Sequence, residues 1–194
     1  MALLDRSLRE FLDDVAAAGR TPGGGSAAAL VTALAAALLA KIARTSTAWP
    51  ESRGIAAQAE SLRDRAAPLA QADAEEYEAA LQAREDDGGQ AEAGERRDFV
   101  LGRAYARAAE PPLQIARAAA DVAELAVVVA RNGDPAFHAD AVIAALLAAA
   151  AASSAAELVG VNLTTSARDE RVREAGRLAE SAARAAEEAR AARE

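Results

Sequence analysis

Apolar residues recur at three- and four-residue steps along the chain, and strand-like alternation appears nowhere, so the pattern predicts helices throughout. Leu3 to Ala18 reads as a first helix, with Leu4, Leu8, Phe11, Leu12 and Val15 on one apolar face and Gly19 at its end. "TPGGGS" follows, and Ser26 is placed to cap or enter the next helix, Ser26 to Ser46. That helix is apolar nearly all round until Lys41 and Arg44. "AWPESRG" is a turn, and a helix from Ile55 to about Arg84 is expected to kink or break at Pro68. "EDDGGQAEAGE" reads as a polar surface loop. Arg96 to Ala109 forms a helix stopped by Glu110–Pro112, and Pro112 can begin the next, which ends near Arg131–Pro135. Pro135 to Leu163 is a second nearly all-apolar helix, and Asp169 to Arg193 a strongly charged last one.

The two apolar stretches are long enough to invite a transmembrane reading. Their alanine content, the interruptions at Thr32 and Lys41, and the lack of flanking charge asymmetry speak against it. Burial on all sides, at a bundle centre or a subunit interface, fits them better. The expected fold is all-α: residues 1–194 as one helical bundle with two nearly all-apolar central helices, forming a homodimer. No fixed-period repeat marks a solenoid.

Composition narrows the chemistry. The 194 residues are 52% hydrophobic but only 3% aromatic, so alanine-rich helices packed through small side chains are expected. Without cysteine there are no disulfides or thiolate metal sites, and the single histidine, His138, leaves no histidine-rich zinc site. A net charge of −8 excludes a general nucleic-acid binder, which needs a basic face. The start "MALLDRSLREFLDD" is not that of a secretory signal, and a cytoplasmic protein is expected.

The candidate site residues have two readings each. Gly23, Gly24 and Gly25 make either a flexible turn or a helix N-terminus whose bare amides hold an anionic or carbonyl-bearing ligand. Nothing after them completes a phosphate-binding P-loop. Asp73, Glu75, Glu76 and Glu78 are a solvated acidic face, unless Asp73 and Tyr77, four apart, look inward together. Asp140 lies inside an apolar run. It is either a first-turn acid favoured by the helix dipole or a buried carboxyl with a perturbed pKa. His138 fits a capping or surface role, and Asn162 either a polar ligand contact or a partner for backbone carbonyls.

"TPGGGSAAAL" at Thr21–Leu30, leading into "AALLAKIAR", resembles the signature of the formiminotransferase-cyclodeaminase C-terminal family, which includes stand-alone methenyltetrahydrofolate cyclohydrolases. "DAEEYEAAL" from Asp73, "PPLQIARAAADVAELA", "GDPAFHADAVIAALLAAAA" and "VNL" resemble its later segments in order. Ala139 and Val142 stand where the family pattern has serine and glycine around the aspartate, and Arg53 is the only base where the family is lysine-rich.

The resemblance implies an all-helical, usually dimeric enzyme acting on a tetrahydrofolate one-carbon adduct as substrate, with no tightly bound cofactor and no metal. Formimidoyltetrahydrofolate cyclodeamination, releasing ammonia to give 5,10-methenyltetrahydrofolate, is the first expectation, and methenyltetrahydrofolate hydrolysis the alternative. Asp140 and Asp73 are the acid/base candidates. Gly23, Gly24, Gly25, Ser26, Tyr77 and Asn162 are the ligand-facing candidates. A divergent member with another substrate, or a non-catalytic dimeric helical protein, is the reading from a different class.

Overall fold

The computed structural model describes residues 2–86, 95–163 and 169–192, which are helices joined by turns and bends, with no strand among them. A short 3-10 turn, Leu3–Asp5, precedes α1 (Leu8–Ala16), α2 (Gly24–Thr45), α3 (Ser52–Ala66), α4 (Leu69–Asp86), α5 (Glu95–Ala108), α6 (Glu110–Asn132), α7 (His138–Asn162) and α8 (Glu170–Ala191). Residues 87–94, most of the expected polar loop, lie outside the described residues, as do residues 164–168 and 193–194.

Local chemistry moves several boundaries from where periodicity places them. The expected Leu3–Ala18 helix is divided because Ser7 and Glu10 form a capping box. The Ser7 hydroxyl accepts from the Glu10 amide at 3.2 Å, and the Ser7 amide donates to the Glu10 carboxylate at 2.7 Å. Pro68 divides the next long segment into α3 and α4, as a proline inside a helix does. Glu110–Pro112 interrupts the chain for one residue only, because prolines in a first turn lack just those N–H groups that no helix bond needs. Asp134 and Asp169 open the last two helical segments, each accepting from the amide two residues on.

α6 is the centre of the bundle, packed against α7, α8, α2 and α3, with α2 and α7 also packed on each other. Its contact residues, Leu113, Ile115, Ala119, Val122, Ala126 and Val129, are almost wholly buried. Alanines at Ala29, Ala36, Ala144, Ala148, Ala152 and Ala155, all fully buried, line the core faces of α2 and α7. Small side chains let these helix axes approach closely, and the missing volume per residue is made up by tight packing.

Neither apolar helix is enclosed on all sides within one chain. α2 leaves Leu34 56% exposed, and α7 leaves Ile143 at 47%, Leu146 at 39% and Val161 at 61%. The expected apolar face of α1 is also mostly outside: Phe11 is buried, but Leu4, Leu8, Leu12 and Val15 are exposed. Periodicity identified these faces as apolar and could not say what covers them.

Candidate active site

α2 begins at Gly24, two residues earlier than the serine that resembles its cap. Gly23 occupies the N-cap position and offers no side chain. Ser26 is already inside the first turn and fully buried, and its hydroxyl donates to the Ala70 carbonyl at 2.8 Å, tying the start of α2 to the start of α4. The cap comes from elsewhere in the chain. Asp73, one turn along α4, accepts the Ser26 backbone N–H.

The glycines make this approach feasible. A Cβ built on Gly25 falls on the carboxyl group of Asp73. Gly25 is buried and Gly24 exposed, with nothing within 4 Å of the Cβ position of Gly24. The triple glycine therefore divides its work. Gly25 admits the carboxylate, while Gly23 and Gly24 leave backbone open at the helix end, where first-turn amides have no intrahelical partner.

Two effects compete at Asp73. The Ser26 N–H favours the ionised form, whereas withdrawal from water disfavours it, and burial wins: the carboxyl is pushed from 3.8 up to about 6. A carboxyl poised near neutrality can take a proton or return it, which is the property a general acid/base needs.

Beside this corner a cleft of about 920 Å³ opens between the N-terminal segment and α4. Thr21 and Pro22 of the glycine segment line it, with Arg6, Asp14, Glu75 and Glu78. A volume of this size suits an organic ligand. Part of the acidic run thus faces a cleft as well as solvent. The run is also tied down: Gln71 donates to Glu75 at 2.7 Å, and Arg107 to Glu76 at 3.0 Å. Arg20 binds Glu85 and stands 4.0 Å from Glu78. Sequence reasoning did not find the contribution of Arg6, Asp14 and Arg20, because only the folded N-terminal segment brings them to α4.

The other candidates lie apart. Tyr77, one turn beyond Asp73, is exposed, near Arg20. Asp140 sits in the first turn of α7, half-exposed, with the Lys41 ammonium 3.5 Å away; that ammonium also lies 5.5 Å from the centre of the Phe137 ring. Lys41 is sixteen residues beyond Gly25 on α2, about 24 Å of helix. Asp73 and Asp140 therefore occupy opposite ends of α2 in the chain, and Ala139 and Val142 lie at the Asp140 end. Asn162 is buried and donates to the Ala108 carbonyl at 2.9 Å, which joins the end of α7 to the end of α5. His138 is buried rather than on the surface, and its Nδ1 lies 3.3 Å from the Ala130 carbonyl. No group of three or more histidines and carboxylates suited to a metal converges among the described residues.

Comparison with known proteins identifies the arrangement. The formiminotransferase-cyclodeaminase family model matches residues 7–182, and the chain belongs to that family. The chain is 29% identical over 165 residues to a methenyltetrahydrofolate cyclohydrolase of Methylorubrum extorquens, covering 81% of this chain and 79% of that one. The crystal structure of a formiminotetrahydrofolate cyclodeaminase from Thermotoga maritima matches with a TM-score of 0.86 at 25% identity, over 98% of this chain and 96% of that one. The all-helical fold and the family expected from the sequence are thereby shown.

Proposed function

We propose that this member of the formiminotransferase-cyclodeaminase family is a methenyltetrahydrofolate cyclohydrolase, with Asp73 as the base that activates water. The observation that carries the reading is the half-buried carboxyl of Asp73, pushed up to about 6 and set against the bare backbone of Gly25. At neutral pH such a group is mostly ionised and free to accept a proton. In the reaction, water adds to the methenyl carbon and gives one proton to the base, leaving a hydroxyl on that carbon. The hydroxyl then loses its proton as the formyl C=O forms, the bond to nitrogen 5 breaks and nitrogen 5 takes up a proton, with one proton released overall. The free amides at the start of α2 offer donors to the oxygen that forms. The similarity to the Methylorubrum cyclohydrolase supports the same choice.

Formimino cyclodeamination is the second reading, favoured by the likeness to the Thermotoga structure. There nitrogen 10 attacks the formimino carbon and ammonia leaves. Asp73 would accept the proton of the attacking nitrogen and return it to the departing amine. Holding nucleophile and carbon together supplies much of the rate in this case.

The protein is further proposed to act as a cytoplasmic homodimer, since the exposed stripes of α2 and α7 form one apolar face. The deciding experiment follows the near-ultraviolet absorbance of 5,10-methenyltetrahydrofolate with and without protein. Loss of the chromophore faster than the spontaneous rate establishes the hydrolase. No acceleration there, with methenyl product appearing from 5-formiminotetrahydrofolate, establishes the deaminase instead.

A further inference from the structure

We infer that the groove between the end of α2 and the start of α3 binds a phosphate group, free or carried on a small organic molecule. The groove has a volume of about 460 Å³. Arg44 and Thr47 line it from the end of α2, and Ser52, Arg53 and Glu60 from α3. It is remote from Asp73. Arg44 lies nineteen residues beyond Gly25 on α2, about 28 Å of helix.

The start of α3 holds donors that the chain itself leaves unused. Glu51 occupies the N-cap position but makes no side-chain cap bond. The Ser52 amide donates to the Trp49 carbonyl, and the Ile55 amide to the Glu51 carbonyl, each at 3.1 Å. The two amides between them, of Arg53 and Gly54, have no acceptor among the described residues, which leaves them open to an anion at the helix end. Nothing lies within 4 Å of the Cβ position of Gly54, so the backbone there is bare. Ser52 is the decisive side chain. It is only 8% exposed and lines the groove, and its hydroxyl has no hydrogen-bond partner among the described residues. A buried polar group in that state calls for an explanation, and a ligand oxygen in the groove supplies one.

Charge selects the ligand. Arg53 is exposed and has no ion pair among the described residues, whereas Arg44 is paired with Glu60. Two guanidinium groups against one carboxylate leave the groove positive on a chain of net charge −8, and the α3 dipole adds to that. The negative end of α2 is close by, but the Ile42 carbonyl there is occupied by the Thr45 and Ser46 hydroxyls, each at 2.8 Å. Glu60 and the exposed Glu51 are the acids that oppose an anion at this place. The donors of two arginines, the hydroxyls of Thr47 and Ser52 and the open amides outnumber what the two oxygens of a carboxylate can accept. A phosphate brings three or more acceptor oxygens and a greater charge.

Trp49 is the only tryptophan and its carbonyl holds the first amide of α3, so its fluorescence reports on the groove. The full chain is titrated in chloride buffer with inorganic phosphate, methyl phosphate and p-aminobenzoylglutamate, with calorimetry as a second readout. Saturable binding of inorganic phosphate or of methyl phosphate is expected. Arg53→Ala should weaken it about tenfold and Ser52→Ala about fivefold, as loss of one charged and one neutral hydrogen bond does. Glu60→Gln removes the opposing charge and releases Arg44, and should tighten binding about threefold. A purely structural role for these residues would not move affinity in opposite directions at matched melting temperatures. Failure of both phosphate compounds to saturate at concentrations on the order of 10 mM would overturn the inference. So would native affinity in Arg53→Ala, or p-aminobenzoylglutamate binding as tightly as phosphate, which would give the groove to a carboxylate. No arm requires turnover of a folate, so the outcome stands whether or not the function proposed above does.

Discussion

The carboxyl group of Asp73 fills the space into which a side chain at Gly25 would project. Helix α2 starts there with no side-chain cap of its own, and α4 supplies one from 48 residues away. Gly25→Ala is therefore expected to turn the carboxyl away from the Ser26 amide. Overpacking of this kind costs about 1–3 kcal/mol, partly offset by the better helix propensity of alanine, by up to ~1 kcal/mol. The effect on turnover should be larger than that on stability. Steady-state rates are expected to fall to those of Asp73→Asn, and the double variant no lower, because both changes remove the same group from the same place. A Gly25→Ala protein with native turnover would show that the carboxyl is not needed where it now sits.

Asp73 also sets a pH profile. A base must be ionised, so kcat/KM, after subtraction of the spontaneous reaction, is expected to rise with pH and level off above about 6. Asp73→Asn should lower the plateau by roughly 10²–10⁴-fold and abolish the inflection, as loss of a general base does. A profile that keeps the inflection in the variant assigns the titration to another group.

The outline of this fold was legible because its signals are local. Helix periodicity, Pro68, the Pro111–Pro112 pair and the acids at Asp134 and Asp169 each act within a few residues, and each leaves a mark in the chain. The site was legible in part. "TPGGGS" announced that backbone was being left bare, and Asp73 was singled out, but their contact joins two helices and no spacing rule relates positions 25 and 73. Ser26 shows the same limit. It has the right type and place for a cap, yet its hydroxyl serves the Ala70 carbonyl because α4 already supplies the cap. Exposure of Leu8, Leu34 and Ile143 was illegible for the opposite reason: periodicity marks an apolar face without naming its cover.

Stability should depend on Asp73 in the sense opposite to catalysis. Its folded-state pKa is raised, so its contribution to stability is fully present below the unfolded value of 3.8 and is lost as pH rises through about 6. Above that range the buried charge costs up to about 3 kcal/mol. Asparagine keeps an oxygen for the Ser26 amide and carries no charge. In denaturant unfolding, Asp73→Asn is therefore expected to gain on the native protein as pH is raised from about 3.5 to neutrality. A variant less stable than native at neutral pH would contradict a costly buried charge.

Asn162 separates a structural role from a ligand role. Its amide donates to the Ala108 carbonyl at 2.9 Å, in a buried position where α5 ends. Asn162→Ala leaves that carbonyl without this donor and is expected to destabilise by about 1–2 kcal/mol. If the amide also touched substrate, KM would rise beyond anything the stability loss explains. Thermal unfolding beside KM at a temperature where both proteins are folded reads the two effects apart.

Asp140 provides the sharpest contrast with Asp73, because the fold asks so little of it. Its side chain is 35% exposed, and its charge partner Lys41 is more exposed still. A surface pair of this kind contributes ~0–1 kcal/mol, and a first-turn acid gains about 0.3–1 kcal/mol from the helix dipole. Asp140→Asn should therefore leave unfolding almost unmoved. A large loss of turnover in that variant would then reflect a role of Asp140 in the working enzyme rather than a loss of the fold. The expected outcome is a fall in kcat with a melting temperature within a few degrees of native. Unchanged turnover would instead confine Asp140 to its pairing with Lys41 and leave Asp73 to act alone.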